Sequence, residues 1–380
     1  MRSHNETLAS AVRVSNPDRA ALPCEARRAP HTSKALMRFP HAVTLFVAII
    51  LLLSLDVGRG AVTLDALGLY LTKNGYGGAQ LIRIGNFYHL PIYSNGKATH
   101  LIIDTGSSAT LIFRSSISSL GLTELKTNVQ LSTIFGNSRE FYGAATIKAL
   151  TAGNCKVTNV PVAVSSATSD SGLYGNPSGL LGLRELMNLG AVLDLAHNLI
   201  YFRPSRPSFE TSQTARLIRT TNGWRPVAPG AEVNQILRSI LIEQGWTPVA
   251  FSIARRGPRV PASINGVSCY LLVDTGAYLT MLDADFAKRA NIAGMRTHIS
   301  TQGVGKSGGD VSLAVFPSLR IGPYEIKRGS AMVGVLDAEA IGRGTNSEVA
   351  GLLGIEHLAM NSAIVDFVSR QVYLRPRGTR

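Results

Sequence analysis

Apolar residues of the chain follow two periods, and they follow them twice. Val233, Ile236, Leu237, Ile240 and Leu241 recur at helical spacing, and Gly245 stands where a C-terminal cap belongs. The stretch "LDALGLYLTKNGY" from Leu64 lies over this segment with Gly75 on Gly245 and Tyr76 on Trp246, so it predicts a second short amphipathic helix. After each helix come short aliphatic and β-branched runs punctuated by Gly, Asn and Pro, which predict strands. "LIRI", "YHLPIYS" and "THLIID" in the first half correspond to "VAFSI", "VPASING" and "CYLLVD" in the second. The stretch "LIIDTGSSATLIF" (101–113) ends an apolar run on an acid, turns on glycine and resumes; "LLVDTGAYLTMLD" (271–283) repeats the device. Asp104 maps onto Asp274, and "SGLLGLRELMNLGAVLDLAHNLIYFRP" from Ser178 maps onto "AGLLGIEHLAMNSAIVDFVSRQVYLRP" from Ala350. The pattern predicts two similar β-rich units, 61–204 and 231–380. Between them, residues 205–230 are proline-rich without a regular period and read as a linker.

Composition agrees with strands and turns: of 380 residues 37 are glycine, 45% are hydrophobic and only 16% are charged. The formal charge of +14 raises the question of nucleic acid, but the cations are scattered and form no basic helix or aromatic-interleaved stripe. No nucleic-acid partner is expected. The apolar run "VTLFVAIILLLSL" (43–55) is shorter than the roughly 20 residues of a spanning helix. With Arg38 before it and small residues around Gly60-Ala61 after it, it has the layout of a secretory signal, and a start at Met37 makes that signal compact. Residues 1–60 are therefore expected to be upstream sequence plus signal. Export to a periplasmic or extracellular space follows, the alternative being an uncleaved N-terminal anchor. Little chain separates the cleavage region from the first helix, which argues against a long inhibitory prosegment. Cys155 and Cys269 stand at non-equivalent places in the two units and read as separate buried thiols, a disulfide being the alternative.

Each unit thus has an aliphatic run ending in Asp-Thr-Gly, a hairpin-rich middle, and a Leu-Leu-Gly that precedes a short helix. This resembles the aspartic proteases, with units most like bacterial retropepsins fused in tandem as in pepsin-type enzymes. The resemblance covers about residues 61–376. It implies an all-β, bilobal fold with a pseudo-twofold axis, a few short helices and a cleft between the lobes. It also implies an exported aspartic endopeptidase, a monomer that needs no cofactor and no metal and acts on peptide or protein. The alternative function is a secreted peptide-binding module with a relic cleft.

The chemistry explains the pairing. Two carboxylates a few ångströms apart cannot both ionise, so they share a proton. The charged one draws a proton from water while the protonated one donates to the peptide carbonyl. The resemblance assigns this dyad to Asp104 and Asp274. It gives Thr105 and Thr275 hydrogen bonds across to the opposite loop, and it lets Gly106 and Gly276 approach closely with their amides free for the carboxylates. It places the hydrophobic-Gly elements Leu180-Leu181-Gly182 and Leu352-Leu353-Gly354 beneath the loops. Residues after each Asp-Thr-Gly differ: the Ser107 hydroxyl would donate to Asp104 and lower its pKa, Ala277 could not do so for Asp274, and the shared proton would favour Asp274. Flaps are expected at 132–143, turning at Gly136-Asn137 with Tyr142 as the candidate flap tyrosine, and at 300–312 around Gly303 and Gly305.

Other motifs read as structure. "GVGKSGG" (303–309) lacks the glycine spacing of a phosphate loop and fits a hairpin tip. His197 and His357 fit no zinc spacing. Glu356-His357 is expected on the solvated side of its helix, Asp194 and Asp366 as turn residues, and the arginines from Arg370 onward as a solvated end.

Overall fold

A computed structural model describes residues 66–133, 136–165, 175–203, 216–220, 223–227, 231–254, 257–303, 306–336 and 349–376. The stretch 66–380 belongs to one compact unit. The apolar run 43–55 and the proposed cleavage region lie outside the described residues.

Two eight-stranded sheets repeat one topology. The first runs β2 (Ile82–Ile84), β3 (Phe87–Ser94), β4 (Lys97–Ile103), β9 (Gly179–Leu181), β5 (Leu111–Phe113), β8 (Cys155–Ser165), β7 (Gly136–Ala152), β6 (Leu125–Thr133) in spatial order. The second runs β15 (Ser252–Ala254), β16 (Gly257–Ile264), β17 (Val267–Val273), β22 (Val349–Leu353), β18 (Met281–Asp283), β21 (Tyr324–Gly334), β20 (Lys306–Ile321), β19 (Gly294–Gly303). Position for position the orders are the same, and each sheet adds one extra pairing, β3 with β7 and β16 with β20. The fold is all-β and bilobal, with a few short helices.

A third sheet joins the halves. Its order is β1 (Gly77–Gln80), β11 (Leu199–Phe202), β10 (Val192–Asp194), β23 (Ile364–Asp366), β24 (Gln371–Leu374), β14 (Thr247–Ala250), three strands from each half. At its middle β10 and β23 run antiparallel, with Leu193 opposite Val365. The bonds Leu195 N–H to Ala363 O (3.0 Å) and Phe367 N–H to Ala191 O (3.1 Å) extend this seam. Leu193, Ile200, Val365 and Val372 are fully buried, so one apolar cluster runs through both halves. Burial of this kind contributes about 25 cal/mol per Å² and is the main force that holds the halves together.

The predicted helices that open each unit are α1 (Ala66–Lys73) and α3 (Ala231–Glu243). Both stop on glycines in left-handed conformation, Gly75 (φ 81°) and Gly245 (φ 87°), as the capping argument requires. The following aromatics are gripped alike: Arg203 stacks over Tyr76 and Arg375 over Trp246. Arg375 also donates to the carbonyl of Gln244 (2.9 Å), so this member of the arginine tail is packed, not a free solvated end. Within 205–230 the chain forms a small hairpin, β12 (Arg216–Thr220) with β13 (Gly223–Val227), where no regular structure was expected. Cys155 and Cys269 are buried free thiols, and burial pushes them up to about 11 and about 12 respectively.

Candidate active site

Asp104 follows β4 and Asp274 follows β17, each at the point where the chain leaves its strand for a glycine turn. The Leu-Leu-Gly strands carry these loops. Strand β9 lies between β4 and β5, parallel to the former and antiparallel to the latter, and β22 lies likewise between β17 and β18. The carbonyl of Leu181 accepts from the Asp104 amide and that of Leu353 from the Asp274 amide, both at 3.0 Å. Gly182 and Gly354 start the helices α2 (Leu183–Asn188) and α5 (Ile355–Met360) directly under the loops. A Cβ on Gly182 would fall 2.3 Å from the backbone of Ala109, and one on Gly354 would fall 2.4 Å from that of Leu279. Only glycine lets these layers meet.

The loops lock to each other through their threonines. Thr105 donates its hydroxyl to the carbonyl of Val273 (2.6 Å) and accepts from the Thr275 amide (3.0 Å). Thr275 mirrors it, donating to Ile103 O (2.8 Å) and accepting from the Thr105 amide (3.1 Å). Four buried hydrogen bonds thus set the spacing of the two loops.

Both carboxyls are completely buried. Oδ1 of Asp104 accepts from the amides of Gly106 (2.9 Å) and Ser107 (3.0 Å), and Oδ1 of Asp274 from those of Gly276 (2.9 Å) and Ala277 (3.0 Å). Among the described residues, each Oδ2 has no donor other than the opposing acid. A Cβ on Gly106 would sit 2.5 Å from Oδ2 of Asp274, and one on Gly276 2.4 Å from Cγ of Asp104. The two glycines are what lets the acids converge. Burial raises both acids above the usual carboxylate range, and the charge of Asp104 raises Asp274 further. The two amide bonds on each Oδ1 pull the other way.

The hydroxyl of Ser107 does not reach Asp104. It donates to the carbonyl of Ala109 (2.7 Å), because the turn aims it along its own loop. The two acids therefore receive equal sets of amide donors, and the expected serine–alanine asymmetry is absent from the carboxylates.

A buried polar layer behind the loops was missed. In the first lobe Glu185 accepts from the amide (2.8 Å) and hydroxyl (2.5 Å) of Thr110, whose hydroxyl also accepts from the Gly182 amide (3.2 Å). In the second, Thr280 accepts from the Gly354 amide (2.9 Å), its hydroxyl lies 2.8 Å from Nδ1 of His357, and its amide donates to Glu356. His357 is 2% exposed. It thus faces inward, not to solvent as expected, because the short helix has to present one polar group to the loop threonine. The signal lay in the repeat: a threonine stands six residues after each catalytic-loop Asp.

Around the cleft, Tyr278 of the second loop packs on Phe87 of the first lobe with ring centroids 5.7 Å apart. Tyr142 is buried in β7 beside Phe87, Leu111 and Ala163. Gly136 and Asn137 are not the flap turn. They pair with Thr133 and Ser132 as the start of β7, so the strand reversal falls between Thr133 and Gly136. In the second lobe Gly303 ends β19 opposite Lys306, and Gly305 lies outside the described residues. Asp194 and Asp366 are turn residues as expected, each accepting two backbone amides through Oδ1. His197 adds a 2.7 Å contact to Oδ2 of Asp194.

Two Asp-Thr-Gly loops, each backed by a hydrophobic-Gly strand and locked across a pseudo-twofold axis, form the architecture of an aspartic protease. The aspartyl protease family model matches residues 90–184 and 260–357, about half of the chain, and the chain belongs to that family. Solved structures similar to it include an aspartic proteinase from Irpex lacteus, 14% identical, covering 79% of this chain and 97% of that one, with a TM-score of 0.40. A retropepsin-like aspartic protease from Rickettsia conorii is 17% identical, covering 34% of this chain and 89% of that one, with a TM-score of 0.25. No curated protein matches the chain.

Proposed function

We propose that this protein is an exported aspartic endopeptidase that hydrolyses peptide bonds with a water held between Asp104 and Asp274. The observation that carries the reading is the state of the acids. Each has one oxygen pinned by two amides and the other, among the described residues, with no donor but its partner, in full burial. Under these conditions one carboxyl keeps its proton in mildly acidic solution. The charged acid takes a proton from the water as the water's oxygen bonds the peptide carbon. The other acid gives its proton to the carbonyl oxygen. Collapse of the tetrahedral intermediate breaks the C–N bond, the amine leaving with a proton from the dyad. Thr105 and Thr275 hold the geometry and take no part in the proton transfers. The proposed proton transfers call for no metal.

Export rests on the apolar run 43–55 and its flanks; among the described residues no helix is long and apolar enough to cross a membrane. The test of activity is incubation of the purified protein with a diverse peptide pool. Cleavage should survive chelators and serine or cysteine blockers and vanish in Asp104→Asn and in Asp274→Asn. Wild-type activity in either variant would remove the dyad from the mechanism.

A further inference from the structure

The two lobes share a topology but not a cleft wall. In the first lobe a pocket of about 310 Å³ is bordered by Ala109, Leu125, Tyr142, Ala144, Ala163 and Arg184. That is the lower end of the size of ordinary ligand sites, roughly 300–1,000 Å³. Four of its lining residues are alanines, and for three of them, Ala109, Ala144 and Ala163, the second lobe has larger side chains at the equivalent places. Ala163 donates its amide to Thr110 O (2.9 Å), runs parallel to Leu111 and has Ala144 as its cross-strand partner. Met332 donates to Thr280 O (2.9 Å), runs parallel to Met281 and has Leu313 as its cross-strand partner. Ala109 precedes Thr110 as Leu279 precedes Thr280. Three methyl groups in the first lobe thus correspond to two leucines and a methionine in the second.

Those larger side chains occupy the equivalent place in the second lobe. Leu279, Leu313 and Met332 pack in one apolar cluster with Ala277 and Met281. In the first lobe the corresponding volume stays open, and it adjoins the catalytic loop. Ala109 lies five residues after Asp104, and its carbonyl takes the hydroxyl of Ser107. Tyr142 gives the pocket an aromatic wall, and Leu125, 65% exposed, an apolar rim.

We propose that this first-lobe pocket receives a large apolar side chain of a bound peptide, an aromatic one above all, and that the second lobe offers no equivalent. Peptides then bind in a single direction, with bulk at one fixed place on one side of the cleaved bond and small residues at the mirrored place. This rests on the reading of the cleft as a peptide site. It goes beyond that reading because the acids and their loops are near-symmetric, and symmetric loops impose no direction.

The experiment fills the pocket with the second lobe's own residues. Ala144→Leu, Ala163→Met and the pair together are compared with wild type on a peptide library randomised on both sides of the bond, folding being checked by thermal melting. Wild type should favour phenylalanine or leucine over alanine at one position only, by at least about 10-fold in kcat/KM, since a single methylene in an apolar pocket is worth about 10–200-fold. In the filled variants that ratio should fall to near one. A second variant, Ala109→Leu, fills the same space from the loop and should act likewise. Cleavage without a one-sided preference, or a preference that persists in folded, filled variants, overturns the pocket and leaves the hydrolase standing. Absence of all cleavage overturns the hydrolase instead. The pocket is then decided by fluorescence anisotropy of the same peptides: binding that favours the bulky residue and loses this in Ala144→Leu supports it, and equal binding rejects it.

Discussion

Replacing Thr105 by valine keeps the shape of the side chain and deletes the hydroxyl that faces the other lobe. Two hydrogen bonds go: the 2.6 Å donation to Val273 O and the 3.0 Å acceptance from the Thr275 amide. Thr105 is fully buried and Thr275 is 1% exposed, so water is poorly placed to substitute. An unsatisfied buried polar group costs about 1–3 kcal/mol, and two are stranded here, giving about 2–6 kcal/mol. At about 2 °C per kcal/mol for a unit of this size, the melting temperature should fall by roughly 4–12 °C. Thr105→Ser is the control, since it keeps the hydroxyl and gives up one methyl, about 1 kcal/mol. The same pair read by kinetics separates positioning from packing. A slackened loop lets the acids drift, and displacement of about 1 Å is enough to lose on the order of 10²-fold in rate. The assay is calorimetric melting alongside kcat/KM on a cleaved peptide. A valine variant that melts and turns over like the serine variant refutes the claim that these bonds hold the dyad.

The other expectations are shorter. Asp104 and Asp274 both have folded pKa values raised above the ordinary 3.8, so the folded state holds protons that the unfolded chain releases as pH climbs; stability present below about 4 is therefore lost as pH rises through the folded values. Asp274→Asn should flatten that part of the stability–pH curve and melt higher than wild type at neutral pH while losing activity, and an unchanged curve in denaturant titrations would contradict the burial argument. Gly106→Ala places a Cβ 2.5 Å from Oδ2 of Asp274 and should abolish turnover with a lowered melting point; full activity would mean that the acids do not approach as described. Ser107→Ala should leave the alkaline limb of the kcat/KM–pH profile where it is, because the hydroxyl serves Ala109 O and amides serve the acid, and a shifted limb would restore the hydroxyl as a donor. Both acids lie on one chain, so specific activity should not change when the enzyme is diluted over several decades, surface adsorption having been controlled.

What the sequence made legible follows from how much chain each feature occupies. The Asp-Thr-Gly and Leu-Leu-Gly elements stood out because they come twice at nearly one offset, and the strands that lead into the acids, β3, β4, β16 and β17, carry enough apolar residues to show their character. Features set by a single rotamer or by very short segments did not show. Whether the Ser107 hydroxyl turns toward Asp104 or toward Ala109 is a choice between two acceptors close by, and no pattern in the chain decides it. Helix α5 is six residues long, too short for periodicity to reveal that His357 faces inward toward Thr280. Strands β10 and β23 have three residues each, below the length at which alternation is visible, so the sheet that joins the halves could not be read. The flap turn was misplaced because glycine and asparagine favour turns but also tolerate the first position of a strand.

That joining sheet has a consequence for what half of this chain would be. Its order reads the same from both ends, three strands and their counterparts, with the central pair antiparallel about Leu193 and Val365. Expressed alone, the first half would end this sheet on β10, with a row of unpaired N–H and C=O groups along an apolar strand whose Val192, Leu193 and Asp194 are all buried in the whole protein. Bare edges of this kind seek another strand. The strand that fits is supplied by the other half or by a second copy of the same half, since an antiparallel pair with a twofold axis accepts an identical partner. The covalent connection between the halves therefore does more than keep two acids together. It presents β23 to β10 at high effective concentration, so the edge is covered before copies of the chain can meet.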